Sequence, residues 1–230
     1  SVSLDPLTQE QTADLIGNLL GVPQVADELV GAIAGRAEGN PLFVEETIAM
    51  LIDDGHLVRE DGRWREIDEL SAVTVPPSIQ ALLAARLDRL SPKERLVLEA
   101  AAVIGRDVFA GAVRELAPEG ERERVPSDLM GLVRKELIQP IPTTLRGEDA
   151  FRFRHLLIRD AAYDAVAKSR RAELHERFAD WLERVAGEAV SEEEEIVAYH
   201  LERAFAYRRE LGPADARSDA LGRRAALRLG

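Results

Sequence analysis

The chain has 230 residues, 46% apolar and 31% charged, which suits a soluble globular protein of one large or a few small domains. Without cysteine it has no disulfide framework, thiolate metal site or cysteine nucleophile, and no apolar run of about 18 residues suggests a membrane span. The net charge of −12 sits unevenly: residues 1–75 hold 4 basic and 15 acidic groups, residues 76–170 hold 16 and 14, and residues 171–230 hold 10 and 13. A phosphate backbone is repelled by the first segment and barely attracted by the second, so specific DNA binding is not expected. The expected location is the cytoplasm. Only Lys93, Lys135 and Lys168 are lysine. Low aromatic content with abundant Leu and Ala favours helices.

In chain order, Asp5–Pro6 and then Leu15, Ile16, Leu19 and Leu20 predict a short amphipathic helix ending at Gly21. Val25, Leu29, Ile33 and Ala37 repeat at helical spacing, and Gly39 stops that helix. After the Asn40–Pro41 turn, Val44, Ile48, Leu51 and Ile52 mark a third helix, with Glu45 and Glu46 expected in its first turn and Gly55 at its close. Residues 56–67 change period, and Asp61–Gly62 predicts a tight β-hairpin turn. Val75-Pro76-Pro77-Ser78 reads as a linker, which places a domain boundary at 75/76.

Beyond it, Ile79, Leu82, Leu83, Leu87 and Leu90 form one stripe. Ser91-Pro92-Lys93-Glu94 then predicts a helix start, with Ser as N-cap, Pro at the first position and an acid in the first turn. Residues 96–105 are apolar nearly all round, so that helix should be buried. Another helix is expected from Val125 to Ile138, and short strands at 137–142 and 150–154 flank a polar Thr143–Asp149 loop. Three helices and a two-stranded wing make the winged-helix pattern, expected over 76–168. A helix follows from Ile158 to Ala167. Leu174, Phe178, Trp181, Leu182 and Val185 then form a strong stripe, and Ile196, Val197, Leu201, Ala204 and Phe205 another. After Gly212–Pro213 a last helix begins near Ala216, so 169–230 resembles the start of a helical, TPR-like repeat region. The expected fold is mainly α: a helical lid with a hairpin over 1–75, a winged helix, then antiparallel helices cut from something longer.

Catalytic motifs are missing. No G-x-x-x-x-G-K-[ST] loop occurs, and no strand ends in paired acids for Mg²⁺. His56, His155, His175 and His200 fall in separate elements without metal-ligand spacing, so no metal site is expected. The Glu192–Glu195 run reads as a solvated helix start. This chain by itself is not expected to be an enzyme. Trp64 and Trp181 are expected to pack the hairpin on the lid and one repeat helix on its neighbour.

Three strings carry a family resemblance. Arg36-Ala-Glu-Gly-Asn-Pro-Leu-Phe-Val-Glu-Glu46 resembles the G-N-P-L-F-x-x-E segment of STAND ATPases. Val75 to Leu90, with Ser91–Arg95 and Ala100–Arg106, is similar to the same proteins, as is Phe151 to Tyr163. Such strings occur in actinobacterial class III adenylate or guanylate cyclases with an attached ATPase, and in large LuxR-type regulators. The resemblance implies that Gly39 and Pro41 pack on adenine, where glycine permits close backbone approach and proline offers a rigid apolar face. It also implies that His155 contacts the ADP β-phosphate. The His155–Asp160 string resembles the Met-His-Asp-Leu-x-x-Asp segment of plant disease-resistance STAND proteins, although Arg154 and Leu156 stand where that segment has Met and Asp. By this resemblance the chain binds no cofactor alone. ATP or ADP with Mg²⁺ belongs to the parent protein. The implied partners are the upstream nucleotide-binding core and an effector domain of the same parent chain, with protein partners on the repeat helices. A winged-helix transcriptional regulator and a helical interaction scaffold are the alternatives.

Overall fold

Helix ends in this chain are set by local hydrogen bonds that can be followed one by one. The computed structural model describes residues 5–23, 25–60, 63–66, 75–143, 148–186, 191–213 and 215–229. Among these it is mainly helical, with a two-stranded hairpin and a small three-stranded antiparallel sheet. No helix among them is long and apolar enough to cross a membrane. Contacts divide the chain into two compact units, Ser1–Arg89 and Leu90–Gly230. The boundary expected at 75/76 directly follows residues 67–74, which lie outside the described residues.

In the first unit, α1 (Gln9–Leu20) opens on a reciprocal capping box. Thr8 Oγ1 accepts from the Gln11 N–H at 3.2 Å, and Gln11 Oε1 accepts from the Thr8 N–H at 2.9 Å. Gly21, left-handed at φ 66°, ends the helix. Helix α2 (Asp27–Ala37) ends through two successive positive-φ residues, Glu38 and Gly39. Asn40 then caps α3 (Pro41–Asp53), which has Pro41 at its first position. The helix therefore starts earlier than its apolar stripe implied, and Glu45 and Glu46 lie beyond its first turn. Strands β1 (Leu57–Glu60) and β2 (Arg63–Glu66) pair antiparallel, Leu57 opposite Glu66. Their expected Asp61–Gly62 turn lies outside the described residues. The Trp64 indole N–H donates to the Leu20 carbonyl at 2.7 Å, so it satisfies an end group of α1 while its ring packs on the core. That core gathers Ile16, Leu29, Ile33, Phe43, Val44 and Leu51, among others. Helix α4 (Ile79–Asp88), capped by Ser78, adds Leu82. It also brings Arg86 onto Glu46 of α3, an ion pair with side chains only 7% and 4% exposed.

The second unit begins with α5 (Pro92–Ile104), where Ser91 and Glu94 form the second capping box. Val97, Leu98 and Ala100 to Ile104 are buried, while Leu96 reaches the surface. A short strand β3 (Asp107–Phe109) and helix α6 (Ala110–Leu116) follow, neither among the expected elements. A 3₁₀ segment over Glu119–Arg124 leads into α7 (Val125–Arg134), shorter than its expected span. Strands β4 (Ile138–Ile141) and β5 (Ala150–Phe153) complete a sheet of order β3-β5-β4. Arg152 of β5 makes a two-point bond across to Asp107 of β3, at 2.6 and 2.9 Å. Helix α8 (Leu156–Ala165) starts just after β5.

Helices α9 (Lys168–Ala186), α10 (Ser191–Leu211) and α11 (Ala216–Leu229) run antiparallel in turn. Trp181 of α9 stacks on Phe178 and on Phe109 of β3, so it ties the helix to the sheet as well as to its own face. Acids at Glu176, Asp180 and Glu183 of α9 meet arginines of α11: Glu176 takes Arg217, Arg224 spans Asp180 and Glu183, and Arg228 reaches Glu183. Arg208 of α10 joins Glu176 at 2.6 Å.

Removing Glu46 or Arg86 takes the opposite charge away from a buried group. Glu46→Ala or Arg86→Ala should each cost about 3–5 kcal/mol of unfolding free energy, whereas Glu46→Met with Arg86→Met should recover most of that loss. Urea unfolding of the three variants checks both expectations.

Candidate functional site

Gly39 stands at φ 73°, and a Cβ there would come within 2.5 Å of Pro6 Cβ and 2.7 Å of the Leu7 backbone N and O. The Leu7 N–H donates to the Gly39 carbonyl at 2.9 Å. Both the left-handed backbone and the close approach demand glycine, and the approaching chain is this protein's own residues 6–7. Asn40 Oδ1 accepts from the Leu42 N–H at 3.1 Å, which fixes the bend. Pro41 is exposed at the start of α3, so its ring is available to a flat apolar partner.

His155 is the N-cap residue of α8, in extended conformation. Its carbonyl accepts from Ile158 N–H at 3.1 Å, and its side chain makes no cap hydrogen bond. The imidazole is half-buried, and the next two residues, Leu156 and Leu157, are 56% and 40% exposed. An N-cap imidazole beside helix N–H groups can donate to an anionic oxygen, so the chemistry proposed for it is available.

The strongest side-chain constellation lies elsewhere in the second unit, and the sequence reading missed it. His175 of α9 and His200 of α10 are fully buried, with their Nδ1 atoms 2.8 Å apart. The Tyr163 hydroxyl of α8 lies 2.8 Å from His175 Nε2 and 2.9 Å from the Tyr207 hydroxyl of α10. Tyr207 in turn accepts from Arg203 at 2.6 Å and from Arg171 at 3.2 Å. The guanidiniums of Arg159 and Arg171 lie 5.0 and 4.4 Å from the centre of the Tyr163 ring.

Burial, then the neighbouring His200, then the guanidiniums of Arg203, Arg159 and Arg171 push the His175 pKa down to about 2. Burial and then Arg159 push His200 down to about 3, against a backbone hydrogen bond to Ile104 that favours its charged form. Both rings are thus neutral at ordinary pH. Burial and the Tyr207 hydrogen bond raise Tyr163 to about 12. Tyr207 shifts the other way: burial alone would raise it, but the Tyr163 hydroxyl and the two guanidiniums outweigh that. Such surroundings suit a fixed polar core, and the arginines repel a metal cation. Among the described residues no group of three or more potential metal ligands occurs.

What made this cluster hard to read is its separation, 25 residues between the histidines. A signal was present. His175 lies at helical spacing from Phe178 and Leu182, and His200 from Val197 and Ala204, so each histidine interrupts an apolar stripe.

Residues 8–65 match a family described as a domain of unknown function, DUF8739. Over 177 residues the chain is 28% identical to "Uncharacterized protein R02095" of Rhizobium meliloti (strain 1021). That alignment covers 77% of this chain and 16% of the relative, so the chain spans a small part of that relative's length.

Tyr163 joins α8 to the buried histidine, so Tyr163→Phe leaves His175 Nε2 without its donor. An unfolding free energy lower by about 1–3 kcal/mol is expected in urea or thermal melts. Unchanged stability would show that the hydroxyl is dispensable.

Proposed function

We propose that this chain is the regulatory arm of a nucleotide-switched STAND-type ATPase, within a nucleotide cyclase or a large LuxR-type regulator. In this reading residues 1–75 form the helical lid, 76–168 a winged-helix domain and 169–230 the first helices of a TPR-like region. The observation that carries it is the bend at Gly39-Asn40-Pro41. It holds an exposed proline ring at the first turn of α3, in the string that resembles the adenine-side segment of those ATPases.

The second unit adds support, since three helices, α5 to α7, precede the β4–β5 pair, as a winged helix requires. Duplex DNA is a poor partner for it. The exposed positions of α7 are Pro126, Ser127, Met130 and Arg134, a single cation, and the following Lys135 is bound to Glu94 at 2.8 Å. The phosphate loop and Mg²⁺ ligands belong to the upstream core in this reading, and the chain contributes contacts that report which nucleotide is bound.

The two contacts make separable predictions in the intact parent protein. A lost hydrogen bond to a charged group is worth about 1.5–3 kcal/mol, so His155→Ala should weaken ADP about tenfold to hundredfold and leave ATP less affected. Pro41→Ala should weaken ATP and ADP alike, because both carry adenine. Calorimetric titration of each nucleotide checks this. Unchanged affinities in both variants would remove the nucleotide reading.

A further inference from the structure

The buried cluster of α8, α9 and α10 has one end of fixed character. Arg171 and Arg203 can only donate hydrogen bonds. From that end each group can satisfy its neighbours in one direction. The Tyr207 oxygen accepts from the guanidiniums, so its hydrogen points to Tyr163. Tyr163 then donates to His175 Nε2. His175 must carry its hydrogen on Nδ1, which donates across the 2.8 Å gap to His200 Nδ1. His200 therefore carries its hydrogen on Nε2.

We infer that this directed chain is a one-proton latch, closed only while both imidazoles are neutral, which makes the α5–α8–α9–α10 junction an acid-responsive element. A proton added to His200 goes to Nδ1, its one unprotonated nitrogen, and sets two N–H groups against each other at 2.8 Å. A proton added to His175 goes to Nε2 and removes the acceptor that Tyr163 needs. Either event breaks the chain.

The surroundings offer a new cation little relief. From α8 the rings face Tyr163 and Arg159, from α9 Arg171, from α10 Tyr199, Arg203 and Tyr207, and from α5 the Ile104 carbonyl. Phe178 of α9 covers His200, ring centres 4.6 Å apart. The carboxylates of Asp160 and Asp164 are 52% and 80% exposed and pair with Arg159 and Arg171. They temper the guanidiniums without bonding to the imidazoles.

The sign follows from linkage. Both folded-state pKa values lie below the ordinary histidine value of about 6.5, so the unfolded chain binds more protons. The latch's contribution is complete above about pH 6.5 and is lost as pH falls toward the folded-state values. Between pH 6 and 5 each ring should lower the folding equilibrium constant about eightfold, and the pair about sixtyfold.

Two measurements on the 230-residue chain test the latch. Long-range nitrogen–proton NMR of ¹⁵N-histidine protein should find His175 protonated at Nδ1 and His200 at Nε2, both neutral until the unit unfolds. Urea unfolding at pH 6 and pH 5 should show His175→Gln and His200→Gln each losing about eightfold of the wild-type pH effect. The opposite tautomers, or imidazolium signals in the folded protein near pH 6, would overturn the latch even if a variant failed to fold. Equal pH dependence in wild type and both variants would overturn it as well.

Discussion

Helices that end inside a protein leave carbonyl oxygens with no partner along the helix, and the second unit is organised around two such ends. At the end of α5, Arg159 donates to the Ala102 carbonyl at 3.1 Å. At the end of α6, Arg122 reaches the Glu115 and Ala117 carbonyls, Arg170 reaches Leu116, and Arg177 reaches Leu116 and Glu115. The donors on α8 and α9 come from sequence far downstream. Docking of those later helices supplies part of the bonding that ending α5 and α6 here requires. The guanidinium suits this task because its planar fork carries five donors, and its positive charge faces the negative end of the helix dipole.

Polar side chains also enter this apolar region. His175 is held by His200, and Tyr163 and Tyr207 carry the bonding outward to arginines. The four rings are all bonded, whereas Arg203 Nε is buried without a partner, and a buried polar network connected in this way favours one packing arrangement. The first unit holds a buried ion pair, Glu46 with Arg86, which couples α4 to α3. Pro41 and Glu46 lie on that same helix, so the exposed bend is carried by an element anchored from its other side.

Local chemistry was legible in the sequence. Ser91, Pro92 and Glu94 announce α5 because an N-cap is settled within four residues, and the strand expected at 137–142 falls where β4 forms. Gly39 and the Asn40–Pro41 turn were equally readable. What was not legible depends on distant partners. Strand β3 has three residues and exists because β5 pairs with it, and α6 is a short helix packed on its neighbours. Glu46 looked like a first-turn acid, yet Arg86 lies 40 residues away and decides its role. The histidine pair suffered the same fate. Each residue was visible as an irregularity in a stripe, but only the fold says that the two irregularities meet.

The acid-to-arginine ladder between α9 and α11 carries one more consequence. Its outer groups are part-exposed, Asp180 at 48% and Arg224 at 36%, whereas Glu176 and the nearby imidazoles are buried. Pairs of that kind are screened when the Debye length shrinks from about 10 Å at 0.1 M salt to about 3 Å at 1 M. Ionic strength therefore bears on the grip of α11 and far less on the junction of α5, α8, α9 and α10. The second unit has a salt-sensitive end and a salt-indifferent interior, so the order in which its helices loosen is set by the solvent as much as by the sequence.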